Sequence, residues 1–125
     1  MGIDFMKQEL IDIVEVAFEK GIVPIETSDT EQMFIVDYGI MKKGVDSTFT
    51  IVVTEKEGAN ISRVKPTSAC GCTVVKAVSK GNEHRVKVKY DTKRMGQIKK
   101  SISIILNTPK GIQTIFFRLT GKVVS

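Results

Sequence analysis

The chain has 125 residues, 19 of them basic and 14 acidic, with a formal net charge of +5. That length supports one domain with a self-sufficient core, and two cysteines are too few for a disulfide-stapled secreted scaffold. No stretch reaches the roughly 18 apolar residues of a membrane span. Asp4, Glu9, Asp12, Glu15 and Glu19 break every apolar run near the N-terminus, so no export signal is expected there. The expectation is a cytoplasmic chain at synthesis, its thiols reduced and no membrane among its partners.

Residues 4–20 are expected to form a helix, because Met6, Leu10, Ile13, Val14, Ala17 and Phe18 recur at three- and four-residue spacing. Asp4 would cap it and Gly21 would stop it. A strand over Ile11 to Phe18 is the competing reading, since Ile11, Ile13 and Val16 fit the helical stripe poorly. Residues 21–30, with Pro24 and Thr27-Ser28-Asp29-Thr30, read as a linker. The division is therefore an N-terminal arm and linker over 1–30 and a body over 31–125.

The body reads as short strands between turns. They are Met33 to Val36, Ser47 to Thr54, Ile61 to Lys65 ended by Pro66, Cys72 to Val78, His84 to Tyr90, Lys99 to Leu106, and Gln113 to Val124. Phe49, Ile51 and Val53 share one face. Val86, Val88 and Tyr90 alternate with Arg85, Lys87 and Lys89. About seven strands at this spacing indicate an all-β, immunoglobulin-like antiparallel β-sandwich.

Charge is divided along the chain. Residues 1–37 carry a net −7 and residues 38–125 a net +12. Such asymmetry implies a polyanionic partner or an acidic arm that docks on a basic body. Residues 76–100 hold nine bases and two acids, and Arg85, Lys87 and Lys89 share a strand face. That face could meet an acidic protein surface, follow a phosphate backbone, or simply be solvated. No aromatics interleave there, so nucleic-acid binding would be unspecific and salt-sensitive.

Cys70 and Cys72 flank Gly71. In an extended strand their Cα atoms would lie roughly 6.6 Å apart, on one face and at the limit of disulfide reach. Three readings stay open: two small buried hydrophobes, a strained and reducible redox pair, or part of a metal site. The chain has one histidine, His84. A catalytic role would need it beside Cys70 or Cys72 with a carboxylate such as Asp91 behind it. The plainer reading is a solvated histidine at a strand end. There is no phosphate-binding glycine loop and no zinc-spaced motif, so neither a catalytic residue nor a cofactor is expected.

The order of these pieces resembles a bacterial family of immunoglobulin-like modules known as a domain of unknown function. Asp37-Tyr38-Gly39, Lys43-Gly44 before Thr48-Phe49-Thr50, Cys70-Gly71-Cys72-Thr73, Val86 to Thr92 with Gly96, and Leu119-Thr120-Gly121-Lys122-Val123 carry the likeness, over about residues 34–124. Glu55-Lys56-Glu57-Gly58 departs from the family's usual Asn-x-Gly turn, and the export signal common in the family is not expected in residues 1–20. The resemblance implies a fold similar to Hydin-type and major-sperm-protein modules, which act as scaffolds.

The function expected is a non-catalytic accessory subunit of a larger protein assembly, such as the virion of a bacterial virus. It would bind its partner, or its own copies, through Met6, Leu10, Ile13, Val14 and Phe18 on the arm and Arg85, Lys87 and Lys89 on the body. A thiol-dependent module using Cys70 and Cys72 is the alternative. Replacing both cysteines with serine separates the two. A structural pair predicts a loss of about 1–3 kcal/mol in urea unfolding. A thiol-dependent pair predicts that stability survives while metal binding or redox cycling is lost.

Overall fold

The computed structural model describes residues 13–19, 25–29, 33–68 and 73–125. Nine strands build two sheets. They are β1 (Val14–Glu19), β2 (Glu26–Asp29), β3 (Phe34–Lys42), β4 (Phe49–Glu55), β5 (Arg63–Ser68), β6 (Thr73–Lys80), β7 (Glu83–Tyr90), β8 (Gly96–Thr108) and β9 (Gly111–Val124). One sheet has the order β1-β4-β7-β6 and the other β2-β3-β9-β8-β5. Together they form a β-sandwich. All pairs are antiparallel except β3 with β9, which run parallel from Phe34 beside Phe117 to Lys42 beside Val124. An entirely antiparallel sandwich of about seven strands was the expectation, and this pair and two extra N-terminal strands depart from it.

From Val14 on, the expected helix over 4–20 is replaced by strand, where residues 14–19 are β1. Val14, Val16 and Phe18 point inward, while Glu15, Ala17 and Glu19 point out, so the effective period is two. The same apolar residues fit a helical stripe only approximately. As a strand the segment completes a ladder with β4, from Val14 beside Glu55 to Glu19 beside Thr50. The expected linker likewise contains β2, which pairs with β3 from Glu26 beside Asp37 to Asp29 beside Phe34. Met6 and Leu10 lie outside the described residues.

The core consists of the inward rows of both sheets. Phe49, Ile51, Val53, Val86 and Val88 from one sheet face Val36, Ile102, Ile104, Leu106, Phe117 and Leu119 from the other, all almost fully buried. Three aromatic rings join the sheets. Phe18 of β1 meets Phe34 of β3 edge-on at 5.9 Å and Phe117 of β9 at 6.1 Å, and Phe34 stacks on Phe117 at 5.5 Å. Such pairs add about 0.5–1.5 kcal/mol each beyond the area they bury.

Two expected strand ends differ. Asp37-Tyr38-Gly39, read as a turn, is a bulge inside β3. The register shifts between Asp37 and Ile40, and the Asp37 carboxylate accepts the Gly39 amide at 2.8 Å. Tyr38 is thereby turned inward against Phe49, and burial pushes its phenol pKa upward. Pro66, expected to end its strand, lies within β5. It is tolerated because β5 is an edge strand, with only β8 alongside.

The bulge also explains Gly121. Its φ is +140°, and a Cβ there would lie 2.9 Å from the Gly39 carbonyl oxygen and 3.1 Å from Tyr38 Cβ. Both the dihedral and the contact with backbone exclude a side chain. Gly121→Ala is expected to cost about 1–3 kcal/mol in thermal or urea unfolding, whereas Gly111→Ala, which meets nothing within 4 Å, should cost less.

Candidate functional site

The four-stranded sheet presents its outer surface in rows set by strand register. Glu15, Thr54, Glu83 and Lys80 form one row across β1, β4, β7 and β6. Ala17, Val52, Arg85 and Val78 form the next, and Glu19, Thr50, Lys87 and Lys76 the third. Lys89 follows on β7. The face is therefore acidic at its β1 side and basic at its β6 side.

Arg85, Lys87 and Lys89 are all exposed, as their alternation predicted, but their surroundings differ. Arg85 donates from Nη1 to Glu19 Oε2 and from Nε to Glu83 Oε1, each at 2.6 Å. These bonds hold the Glu19 carboxyl below its ordinary pKa and raise that of Arg85. Arg85 is thus an ion-pair centre within the sheet rather than a free cation. Lys87 sits directly opposite Lys76 on β6. Asp46 lies near Lys87 and Lys89. Its pKa is lowered mainly by hydrogen bonds from the Thr48 hydroxyl and amide, and secondarily by these lysines. Lys76 and Lys80 belong to this surface and went unassigned in the sequence reading; only the register across β6 and β7 reveals them.

The arm residues go elsewhere. Val14 is 2% exposed and belongs to the core, and Ile13 and Phe18 are partly buried against it. Their apolar stripe is thus turned onto the chain's own sandwich, which leaves Val14 unfit as a partner contact. Cys70 and Cys72 lie outside the described residues. Among the described residues, no cluster of three or more His, Asp or Glu side chains is placed to hold a metal ion.

His84 is not solvated. It points inward at the end of β7, 7% exposed, between two partners. Its Nδ1 is 2.7 Å from Ser79 Oγ and its Nε2 is 2.7 Å from Glu55 Oε2. With the proton on Nε2, Ser79 donates to Nδ1 and the imidazole donates to the carboxylate. The other carboxylate oxygen accepts the Ile61 amide at 3.0 Å, and the Glu55 amide donates to the Asn82 carbonyl at 2.8 Å. The cysteines and Asp91 were the expected partners; Asp91 instead accepts the Lys93 amide. Neither Ser79 nor Glu55 was foreseen, since residues 29 apart in sequence signal nothing of their contact. Hydroxyl, imidazole and carboxylate in line could polarise a serine. The pocket at this end, however, is lined by Ile13, Gly58, Ala59, Thr108, Lys110 and Gln113 rather than by His84 or Ser79. The line fastens the 56–62 loop to the sheet.

Fold and surface together define a two-sheet β-sandwich domain whose exterior is divided by charge. Residues 29–123 match the family described as "Protein of unknown function (DUF1573)", and the chain belongs to that family. No curated protein matches it. Among solved structures it is similar to that titled "Structure of Vibrio cholerae VesB protease", with a TM-score of 0.60 and 12% identity. The likeness covers 86% of this chain and 31% of that one, and at this identity it concerns the fold alone.

Glu55→Ala leaves His84 Nε2 and the Ile61 amide without their acceptor. The expected cost is about 1–3 kcal/mol in urea unfolding, with faster hydrogen exchange at the Ile61 amide.

Proposed function

We propose that this chain is a non-catalytic binding module: an immunoglobulin-like sandwich that joins a larger protein assembly by laying the basic part of its four-stranded sheet on an acidic protein surface. A virion is one assembly of that kind. The observation that carries the reading is the placement of Lys87 directly opposite Lys76, with Lys89 two residues along β7. Like charges opposed across a strand pair destabilise a sheet. An acidic partner offsets that repulsion. Arg85 is not part of the contact, because Glu19 and Glu83 already hold it. The immunoglobulin-like reading rests on the two-sheet sandwich and on the family resemblance of the Cys70-Gly71-Cys72-Thr73 motif, and modules of this shape serve mainly as scaffolds.

The test compares binding to a glutamate-rich peptide and to a short DNA duplex, across salt, for the parent chain and for Lys87→Glu with Lys89→Glu. Both positions are exposed, so folding should persist and be verified by circular dichroism. Peptide binding that is lost in the double variant supports the reading. Preference for the duplex, with affinity falling steeply as salt rises, would replace it with unspecific nucleic-acid binding. Binding unchanged in the double variant would remove this face from any role.

A further inference from the structure

The division of charge follows the edges of the sandwich. Phe18 packs β1 over β3 and β9, which places β1 and its neighbour β2 at one side. β5 and β6 lie together at the other. The first side exposes Glu15, Glu19, Glu26 and Asp29, and the second exposes Arg63, Lys65, Lys76 and Lys80. Each sheet is thus acidic at one edge and basic at the other.

In the four-stranded sheet the two edges also match in register. Among the described residues no strand pairs with the outer side of β1 or of β6. β1 and β6 run in opposite directions, because three successive antiparallel pairings separate them. A second copy displaced across the strands by one sheet width, about 19 Å for four strands, therefore sets its β1 antiparallel to the first copy's β6. Each outward row continues into itself. Lys80 meets Glu15, Val78 meets Ala17, and Lys76 meets Glu19. Every charge faces its opposite, and the central pair is apolar, with Val78 61% exposed in the single chain. The inward rows agree as well: half-buried Phe18 comes beside half-buried Ala77, completing contacts that each makes only in part.

We propose that copies of this chain associate head to tail through these edges, β6 of one pairing antiparallel with β1 of the next in the register Lys80–Glu15, Val78–Ala17 and Lys76–Glu19. The occupant of each edge is a second copy. The interface is heterologous, so the assembly is open unless its rotation closes it. Sheet twist turns each copy by roughly 80–100° from the last, which favours a winding filament. The association shares Lys76 with the acidic-partner reading, but the variants that test that reading change Lys87 and Lys89 on the face and leave both edges intact.

Charge exchange tests it. Light scattering and sedimentation over a wide concentration range should show mass that grows with concentration and shrinks as salt rises. Glu15→Lys sets two lysines against each other at the 15–80 pair, and Lys80→Glu sets two glutamates against each other there, while Lys76–Glu19 is unchanged. Each variant alone should associate about tenfold more weakly than the parent, while an equal mixture of the two regains association, since residue 15 then finds an opposite charge at residue 80 only on the other variant. Glu15→Arg and Lys80→Asp form a second pair should either variant fail to fold. A parent chain that stays monomeric at every concentration and salt overturns the proposal. So do variants that associate as the parent does, or a mixture that does no better than its components.

Discussion

The meeting of Phe18 with Phe34 and Phe117 decides more of this molecule than any other contact. Residues 14–19 carry a pattern compatible with either helix or strand, and an isolated segment this short has little preference of its own. Seating Phe18 between rings from β3 and β9 fixes the choice, because only the extended form aims Val14, Val16 and Phe18 at the opposite sheet. Once β1 is a strand, Glu15, Ala17 and Glu19 must face outward. The acidic edge is a consequence of that seating and not a separate device. The acidic arm and basic body that the charge distribution suggests are consequently two margins of one sandwich.

The body of the sandwich was legible in the sequence where alternation was strict. In β7, Val86, Val88 and Tyr90 are buried and Arg85, Lys87 and Lys89 are exposed, because period-two patterning translates directly into faces. The long hairpin of β8 and β9 was legible for the same reason. Three features were not. β1 was hidden by the overlap of two periodicities across Ile13 to Phe18. β2 was hidden because Glu-Thr-Ser-Asp is polar throughout, and it is a strand only because β3 lies beside it. The inward turn of Tyr38 was hidden because a bulge and a turn share the same Asp-Tyr-Gly signature.

The candidate surface was legible only in part, and for a different reason. A sequence shows which cations share a strand, but the strand next to them is fixed by pairing. Lys76 and Lys80 therefore join the surface, and Arg85 leaves it, through contacts made by residues distant in the chain. The Ser79–His84–Glu55 line is the same lesson in the interior. It took a histidine expected in solvent and made it the clasp of a loop, through a glutamate that sequence assigns to a turn.

The parallel pairing of β3 with β9 has a bearing on how the chain comes into being. About eighty residues lie between Phe34 and Phe117, which are neighbours in the finished sheet. A ribosome working at about 5–20 residues per second needs roughly 4–16 s to make that interval. Throughout it, β3 has β2 on one side and nothing on the other, and Phe34 lacks the ring it stacks on. The five-stranded sheet can therefore close only when its last strand has emerged. Until then Val36 lacks Leu119, its neighbour in the finished sheet, and this is the interval in which a chaperone, or a neighbouring nascent copy, would have access to that side of β3.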